Sequence, residues 1–213
     1  KIRRQEWTDA ALVSSLQEFR DFFSNETLDA RQHFAIKNLA VVFTDIKGST
    51  ELYERLGDAK AFYLVKEHFS ILEESVATHD GAVVKTIGDA VMAVFHDPGD
   101  ALRAARDMIE AFEKVENRER TQEAIVVKVG AHLGSCIAVN LNERLDYFGT
   151  TINTAARIQG LSDGRNVMVS RALYDAAGGD QVFGQEWQRE AFSTSLKGLK
   201  DSHAVIKLHP VEV

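Results

Sequence analysis

The chain alternates between short apolar runs, polar turns and longer stretches in which apolar residues recur at helical spacing. The run from Leu39 to Asp45 predicts a short buried strand that ends at Asp45. A polar turn at 47–50 follows it. From Leu52 to Val76 apolar residues recur at three- and four-residue steps, which predicts a helix with a break at Gly57. The pattern therefore indicates a strand, a turn and a long helix in succession.

Two strand-like runs, Ala82–Ile87 and Ala90–Phe95, come next, and only Gly88 and Asp89 separate them. A two-residue link that contains Gly between strand-like runs is a strong signal for a hairpin. We therefore expect Asp89 to lie in a tight turn.

The rest of the chain predicts further helices and strands. A helical stripe covers 100–115, two strand-like runs cover 125–133 and 136–141, and another helical stripe covers 150–161. The order βαββαβ is that of the split βαβ, ferredoxin-like arrangement. We therefore expect an α+β fold with an antiparallel-rich sheet and flanking helices.

The first part of the chain carries one apolar helical stripe, formed by Trp7, Ala11, Leu12, Leu16, Phe19, Phe22 and Phe23. We assign 1–36 to a helical extension and 37–213 to the main domain. The helix either packs on its own domain, connects two copies in a dimer, or joins a regulatory region. Because the chain begins at Lys1 rather than Met, we expect a longer protein with an upstream regulatory domain.

Composition narrows the classes of partner. Lys and Arg total 25 against 32 Asp and Glu, a formal net charge of −7, which is opposite to that of a nucleic-acid-binding surface. The longest apolar run, Ala90–Phe95, is far shorter than the roughly 20 residues of a membrane-spanning helix. The only cysteine, Cys136, has no partner for an internal disulfide. We expect no contact with nucleic acid or membrane, and a reducing, cytoplasmic location.

Two carboxylates stand at positions that suit a metal site. Asp45 ends the first strand and Asp89 lies in the hairpin turn, and in a split βαβ sheet the first strand lies beside the hairpin. Carboxylate oxygens are the ligands that Mg²⁺ and Mn²⁺ prefer. Taken singly, each Asp also suits a turn or a helix cap. Together they suggest a site for one or two divalent cations.

The turn after Asp45 suits an anion. Gly48, Ser49 and Thr50 lead into a helix, and the backbone N–H groups of such a turn bind phosphate groups. The same residues also suit simple helix capping. With Asp45 beside them, a triphosphate is the candidate ligand.

Two further sets of polar residues follow. Lys85 and Asp146 form the first of these sets. Lys85 lies four residues before Asp89 on a strand, roughly 13 Å along its axis, so Lys85 and Asp89 cannot both contact one ligand atom. Asn153 and Arg157 form the second set, because they are separated by one helical turn and share a face that suits a sugar and a phosphate. Such a pair more often forms a solvated polar face, which is the alternative interpretation.

Three segments, FTDIKGST, VVKTIGDAVMAVF and LDYFGTTINTAARI, resemble the catalytic domain of class III adenylyl (adenylate) cyclases, in their bacterial homodimeric form. The resemblance extends over residues 39–208. It implies the class III nucleotidyl cyclase fold. It also implies conversion of ATP to 3′,5′-cyclic AMP and pyrophosphate for signal transduction.

The resemblance also implies a role for each candidate residue. Two Mg²⁺ or Mn²⁺ ions would be held by Asp45, Asp89 and the backbone carbonyl of Ile46. The other implied contacts are the purine with Lys85 and Asp146, the ribose with Asn153, the transition state with Arg157 and the triphosphate with Lys197 in the late Leu-Lys-Gly turn.

Two of these roles agree with elementary chemistry. A lysine donates to adenine N1 and an aspartate accepts from its N6 amine, whereas guanine reverses both demands. A guanidinium suits the charge that develops when the 3′-OH attacks the α-phosphate. The resemblance further implies a head-to-tail homodimer with two shared sites, and this one chain carries every required residue type.

Residues 130–138 depart from the family pattern, because a later glycine is replaced. We interpret His132 there as a strand or dimer-contact residue and Cys136 as a small buried side chain. Three alternatives to an ATP cyclase stay open: a guanylate cyclase, a catalytically silent nucleotide-binding domain, and a pure dimerisation module.

Overall fold

A computed structural model describes residues 10–23, 33–119 and 125–211. Within these ranges eight strands form one sheet: β1 (His33–Ile46), β2 (Ala82–Ile87), β3 (Ala90–Phe95), β4 (Val127–Leu141), β5 (Arg144–Phe148), β6 (Val167–Ser170), β7 (Trp187–Ser195) and β8 (Ser202–Pro210). The helices are α1 (Ala10–Ser14), α2 (Gln17–Phe23), α3 (Ser49–Leu56), α4 (Asp58–Thr78), α5 (Pro98–Glu119), α6 (Thr150–Gln159), α7 (Arg171–Ala176) and α8 (Gly179–Val182).

The strand order is β2-β3-β1-β4-β6-β8-β7, and β5 pairs with the second half of β4. The pairing of β4 with β6 is parallel, and the other pairings in the described sheet are antiparallel. This confirms the predicted α+β fold, with β1 beside the β2–β3 hairpin as the split βαβ arrangement requires.

The centre of β1 is buried on both faces, which explains its continuous apolar run. Ala40 and Val42 pack in a core that includes residues of α4 and α5. Val41 and Phe43 point to the opposite face and pack in a second core with α6 and the N-terminal helices. The sheet therefore has helices on both faces, and α6 lies on the second face.

Two predicted strand boundaries are wrong. The first strand begins at His33 rather than Leu39, since its mixed first residues also pair with β4, apart from one irregularity between Ile36 and Leu39. The predicted pair of strands at 125–133 and 136–141 is one continuous strand, β4, because Gly134 stays in the ladder opposite Leu39. Pairing with a long neighbour therefore extended both strands beyond their apolar runs.

The strand β5 was not predicted. It follows a two-residue turn in which Asn142 and Glu143 have φ of 53° and 61°, the left-handed pair that a tight type I′ hairpin needs. An Asn-Glu pair is a weaker turn signal than Asn-Gly, and this hid the hairpin. Its consequence for function is that Asp146 lies on a strand rather than in a loop.

The extension contains two short helices, α1 and α2, rather than one continuous helix. The break falls at Ser15 and Leu16, where the hydroxyls of Ser14 and Ser15 donate to the carbonyls of Ala11 and Leu12. Such local bonds compete with the continuation of a helix. Trp7, part of the predicted stripe, lies outside the described residues.

Across the ranges described, no helix combines the length and the apolar character that crossing a bilayer requires. The helix α5 instead packs its apolar face on the sheet, where it contributes Leu102, Met108 and Ile109 to the first core.

The interpretations of His132 and Cys136, in the segment 130–138 that departs from the family pattern, agree with the structure. His132 lies on β4 opposite Val41, and Cys136 is buried, which raises the pKa of its thiol to about 11. Burial, and secondarily the charge of His203, lower the pKa of His132 to about 4. Between about pH 4 and pH 6.5, His132 is therefore neutral in the folded chain and protonated in the unfolded chain.

The pKa of His132 predicts a loss of stability in mild acid. The folded-state pKa of His132 lies below the unfolded value, so its contribution to the free energy of unfolding is complete above about pH 6.5 and decreases as the pH falls toward 4. At pH 5 the loss is about 2 kcal/mol. Denaturant unfolding of the wild type and of His132→Gln between pH 7.5 and 5 tests this. The variant should show a shallower pH slope, and equal slopes would contradict the prediction.

Candidate active site

Asp45 and Asp89 lie side by side at one end of the sheet. Thr44 pairs with Val91 across β1 and β3, so the end of β1 meets the hairpin turn. The turn is tight because Gly88 adopts a left-handed φ of 64°. The N–H of Ile46 donates to Oδ2 of Asp89 at 3.2 Å, which fixes the turn carboxylate against β1.

The two carboxylates affect each other electrostatically. Burial and the charge of Asp89 raise the pKa of Asp45, and the Lys128 ammonium, on the residue directly across the ladder from Asp45, opposes this rise. Tyr53 on α3 belongs to the same region, since burial and the charges of Asp89 and Asp45 raise the pKa of its phenol. The sequence did not point to Lys128 or Tyr53, because their proximity depends on strand register and helix packing.

The Asp45–Asp89 pair fits a divalent cation. Two crowded carboxylates, one with a raised pKa, are stabilised by a hard cation that neutralises both. Among the described residues no group of three or more His, Cys, Asp or Glu forms a metal cluster, so backbone, water or substrate oxygens would complete the coordination. The Ile46 carbonyl as a ligand stays a prediction.

The turn that follows has the shape expected of an anion site. Gly48 lies at the N-cap position of α3 with a left-handed φ of 65°. Because it has no side chain, it supplies no cap to the N-terminal N–H groups of this helix. Ser49 is half-buried and Thr50 is exposed at the first helical positions. A cavity of about 410 Å³ opens beside the turn and is lined in part by Lys47 and Arg55. The first N–H groups of α3 are therefore available to an anion.

Lys85 and Asp146 contact each other directly, although 61 residues separate them. Nζ of Lys85 lies 2.5 Å from Oδ2 of Asp146, and the Tyr147 N–H donates to Oδ1 of the same carboxylate at 2.8 Å. The Asp146 side chain is 9% exposed and that of Lys85 is 36% exposed. A donor and an acceptor are thus held together at the border between the protein and solvent.

Asn153 and Arg157 lie on one exposed face of α6. Neither side chain forms a hydrogen bond or ion pair with another residue of the described ranges. The opposite face of this helix packs on β4 very closely, since a Cβ at Gly130 would overlap the backbone of Gln159 and one at Gly134 would meet Thr151. The two glycines therefore determine how closely α6 packs on β4, and with it the position of the polar face that carries Asn153 and Arg157.

Lys197 is exposed in the turn between β7 and β8. The ladder from Asp45 through β4 and β6 reaches β8 at His209, seven residues, or about 23 Å, from the strand's start at Ser202. Within one chain, Lys197 therefore lies at the opposite end of the sheet from the carboxylate pair.

The predicted site residues thus form separate groups. The first group contains Asp45, Asp89 and the turn at 48–50. The second is the Lys85–Asp146 pair, and the third is the polar face of α6. No hydrogen bond or ion pair joins these groups in the part of the chain that the structure describes.

A family model described as the adenylate and guanylate cyclase catalytic domain matches residues 32–204. The chain belongs to this family. The match includes all the candidate residues and the whole of the sheet except residues 205–210 of β8.

Relatives of this cyclase domain include enzymes named for either nucleotide. The chain is 28% identical over 187 residues to an adenylate cyclase of Anabaena cylindrica, a match that covers 76% of the chain and 37% of that protein. It is 27% identical over 174 residues to guanylate cyclase 32E of Drosophila melanogaster, a match that covers 76% of the chain and 15% of that protein. The chain thus spans well under half of either relative.

Among solved structures, the adenylyl cyclase CyaB from P. aeruginosa superimposes with a TM-score of 0.73 at 20% identity, over 85% of this chain and 97% of that one. The likeness confirms the class III cyclase fold. Together the comparisons identify a nucleotide cyclase catalytic domain, with relatives of both base specificities.

The close packing of α6 predicts contrasting effects of two alanine substitutions. Gly130→Ala forces α6 away from β4 and should destabilise the fold by about 2 kcal/mol or more. Gly160→Ala, at the end of the same helix with φ of −63°, meets no atom closer than 3.4 Å and should change stability by about 0.5 kcal/mol or less. Denaturant unfolding checks both, and equal destabilisation would contradict the role of Gly130.

Proposed function

We propose that this cyclase domain is an adenylate cyclase, which converts ATP to 3′,5′-cyclic AMP and pyrophosphate. The observation that carries the choice of ATP is the direct contact between Lys85 and Asp146. In a nucleotide cyclase domain, an ammonium beside a carboxylate offers one donor and one acceptor at hydrogen-bonding spacing. The Watson–Crick edge of a purine presents complementary groups at similar spacing.

The pair matches adenine better than guanine. The Lys85 ammonium has three N–H donors and uses one on Asp146, so it can also donate to adenine N1. The Asp146 carboxylate keeps acceptor capacity for the N6 amine. Guanine presents a carbonyl at C6 and a protonated N1, so a carboxylate would face the carbonyl and an ammonium would face a donor.

The remaining residues support intramolecular attack of the ribose 3′-OH on the α-phosphate. The reaction forms the O3′–P bond, breaks the bond to the β-phosphate oxygen and releases the hydroxyl proton, so orientation and charge neutralisation dominate. Asn153 would orient the ribose, and the exposed guanidinium of Arg157 would neutralise charge on the α-phosphate. Lys197 and the N–H groups of the Gly48–Thr50 turn would hold the phosphates.

Asp45 and Asp89 would hold two Mg²⁺ or Mn²⁺ ions, with the Ile46 carbonyl as a further ligand. When bound there, such ions lower the pKa of the 3′-OH and neutralise the triphosphate. Asp45 and Asp89 keep these positions because β1 and the hairpin turn are bonded through Ile46 and Asp89.

We further propose that two copies share each site, in a head-to-tail homodimer. The carboxylate group and Lys197 lie at opposite ends of the sheet in one chain, while Asn153 and Arg157 stand exposed with no partner among the described residues. A second copy related by a two-fold axis brings the groups together twice. Exposed apolar side chains border the groups: Ile87, Leu141 and Phe148, each more than half exposed.

The alternatives are less well supported. A guanylate cyclase is favoured by the Drosophila relative, but the Lys85–Asp146 pair opposes it. A pure dimerisation module has no need of two crowded carboxylates. Loss of catalysis would show as a missing Asp, Asn or Arg, and this chain keeps all of them. Because the relatives are much longer, we keep an upstream regulatory domain as part of the proposal.

Exchange of the base-reading groups should reverse the preference for ATP. In Lys85→Glu combined with Asp146→Ser, an acceptor faces the N1–H of guanine and a hydroxyl donor faces its O6, so kcat/KM for ATP should fall at least about 100-fold relative to that for GTP. Steady-state kinetics with each nucleotide measure this. Lys66→Glu, the same charge change at an exposed residue of α4, is the control, and an unchanged ratio in the double variant would refute the base-reading role.

Mixing inactive variants tests the shared site. Asp45→Ala and Arg157→Ala should each abolish turnover, and their mixture should regain about a quarter of wild-type activity, because half of the dimers are mixed and contain one intact site. A mixture of Asp45→Ala with Asp89→Ala should stay inactive, since both changes affect the same group. No recovery in the first mixture, once subunit exchange is demonstrated, would contradict sharing.

A further inference from the structure

The N-terminal helices contact the two strands that carry Lys85 and Asp146. The Gln17 side chain on α2 accepts a hydrogen bond from the Val83 N–H at 2.8 Å. Val83 is two residues before Lys85 on β2, which is the edge strand of the described sheet. The ladder between β2 and β3 also shifts register between Val83 and Lys85. Gln17 thus holds β2 where its pairing is irregular.

The second set of contacts reaches β5. Arg20 is only 6% exposed, and its guanidinium donates to the carbonyl of Leu145 at 2.6 Å and to that of Ser14 at 3.3 Å. Its Cζ lies 5.5 Å from the ring centre of Tyr147, whose hydroxyl donates to the Ser14 carbonyl at 2.8 Å. The residues on both sides of Asp146 are therefore bonded to the N-terminal helices.

These contacts have a clear mechanical consequence. In the sheet, β2 and β5 are separated by β3, β1 and β4, so no ladder bond in the described sheet fixes the distance between the strands of the base-reading pair. Ala82 of β2 packs in the second core with Leu145 and Tyr147 of β5. Beside Lys85 itself, however, this packing is incomplete, because a cavity of about 690 Å³ opens there and is bordered by Gln17, Arg20 and Arg144. Besides the Lys85–Asp146 ion pair, α2 connects the two strands, because Gln17 bonds to β2 and Arg20 bonds to β5.

We infer that Gln17 and Arg20 are positioning residues for purine recognition, which set the separation of Lys85 and Asp146 by bonding α2 to both strands. The inference rests on the proposed base-reading role of that pair. Hydrogen-bond selectivity depends on donors and acceptors placed to within fractions of an ångström. Loss of either contact should therefore reduce discrimination between ATP and GTP more than it reduces the rate of the chemical step.

The test uses the full chain with Gln17→Ala, Arg20→Met and Arg20→Lys, and Glu18→Ala on the exposed side of the same helix as the control. The ratio of kcat/KM for ATP to that for GTP should fall at least about tenfold in Gln17→Ala and Arg20→Met, mainly through KM for ATP. Arg20→Lys, which keeps a donor, should retain more of the selectivity than Arg20→Met, and Glu18→Ala should match the wild type.

Two further readouts separate this inference from the proposed reaction. Hydrogen exchange at the Val83 amide should accelerate in Gln17→Ala but not in Glu18→Ala, because its acceptor is lost. If the wild type yields no cyclic nucleotide, the proposed function fails, and the ratio of the dissociation constants for ATP and GTP then reports the selectivity. Variants that lose stability yet keep the wild-type ratio, by kinetics or by binding, would overturn the positioning role.

Discussion

The enforced proximity of Asp45 and Asp89 is the constraint on which the site depends. Antiparallel pairing of β1 with β3 places a strand end beside a hairpin turn, and the Ile46 N–H bonds the turn carboxylate in place. Burial and the mutual repulsion of the two carboxylates, visible in the raised pKa of Asp45, disfavour this arrangement on its own. A fold that keeps two such groups together is suited to bind divalent cations, which is the role proposed for this pair.

The polar face of α6 and the Lys85–Asp146 pair are positioned by other elements of the fold, and they therefore lie apart from the two carboxylates. Close packing through Gly130 and Gly134 places the polar face of α6, whereas a tight hairpin places Asp146 and an edge strand places Lys85. Of these elements, α6 packs on the face of the sheet to which Val41 and Phe43 point. Because each group is fixed by its own local contact, the proposed homodimer would assemble complementary halves of a site without rearrangement of the central strands.

The hairpin at Ala82–Phe95 and the break at Gly57 followed from local sequence, since short-range turn signals and apolar periodicity determine them. The proximity of the two carboxylates followed from the predicted order of elements, because the split βαβ arrangement places the first strand beside the hairpin. The continuity of β4, the strand β5 and the proximity of Lys128 and Tyr53 to Asp45 did not, because they arise from strand register and long-range packing. The contacts of Gln17 and Arg20 belong to the same class: nothing in their neighbouring residues indicates that they bond to strands 66 and 125 residues away.

Product analysis of the purified chain tests the central claim most directly. The chain is incubated with ATP and, separately, with GTP, in Mg²⁺ and in Mn²⁺, and the nucleotide products are separated and identified. We expect cyclic AMP and pyrophosphate from ATP, in large excess over cyclic GMP from GTP. Preferential formation of cyclic GMP would contradict the assignment of Lys85 and Asp146. Absence of both products, in a sample shown to be dimeric and to bind nucleotide, would contradict the proposed reaction itself.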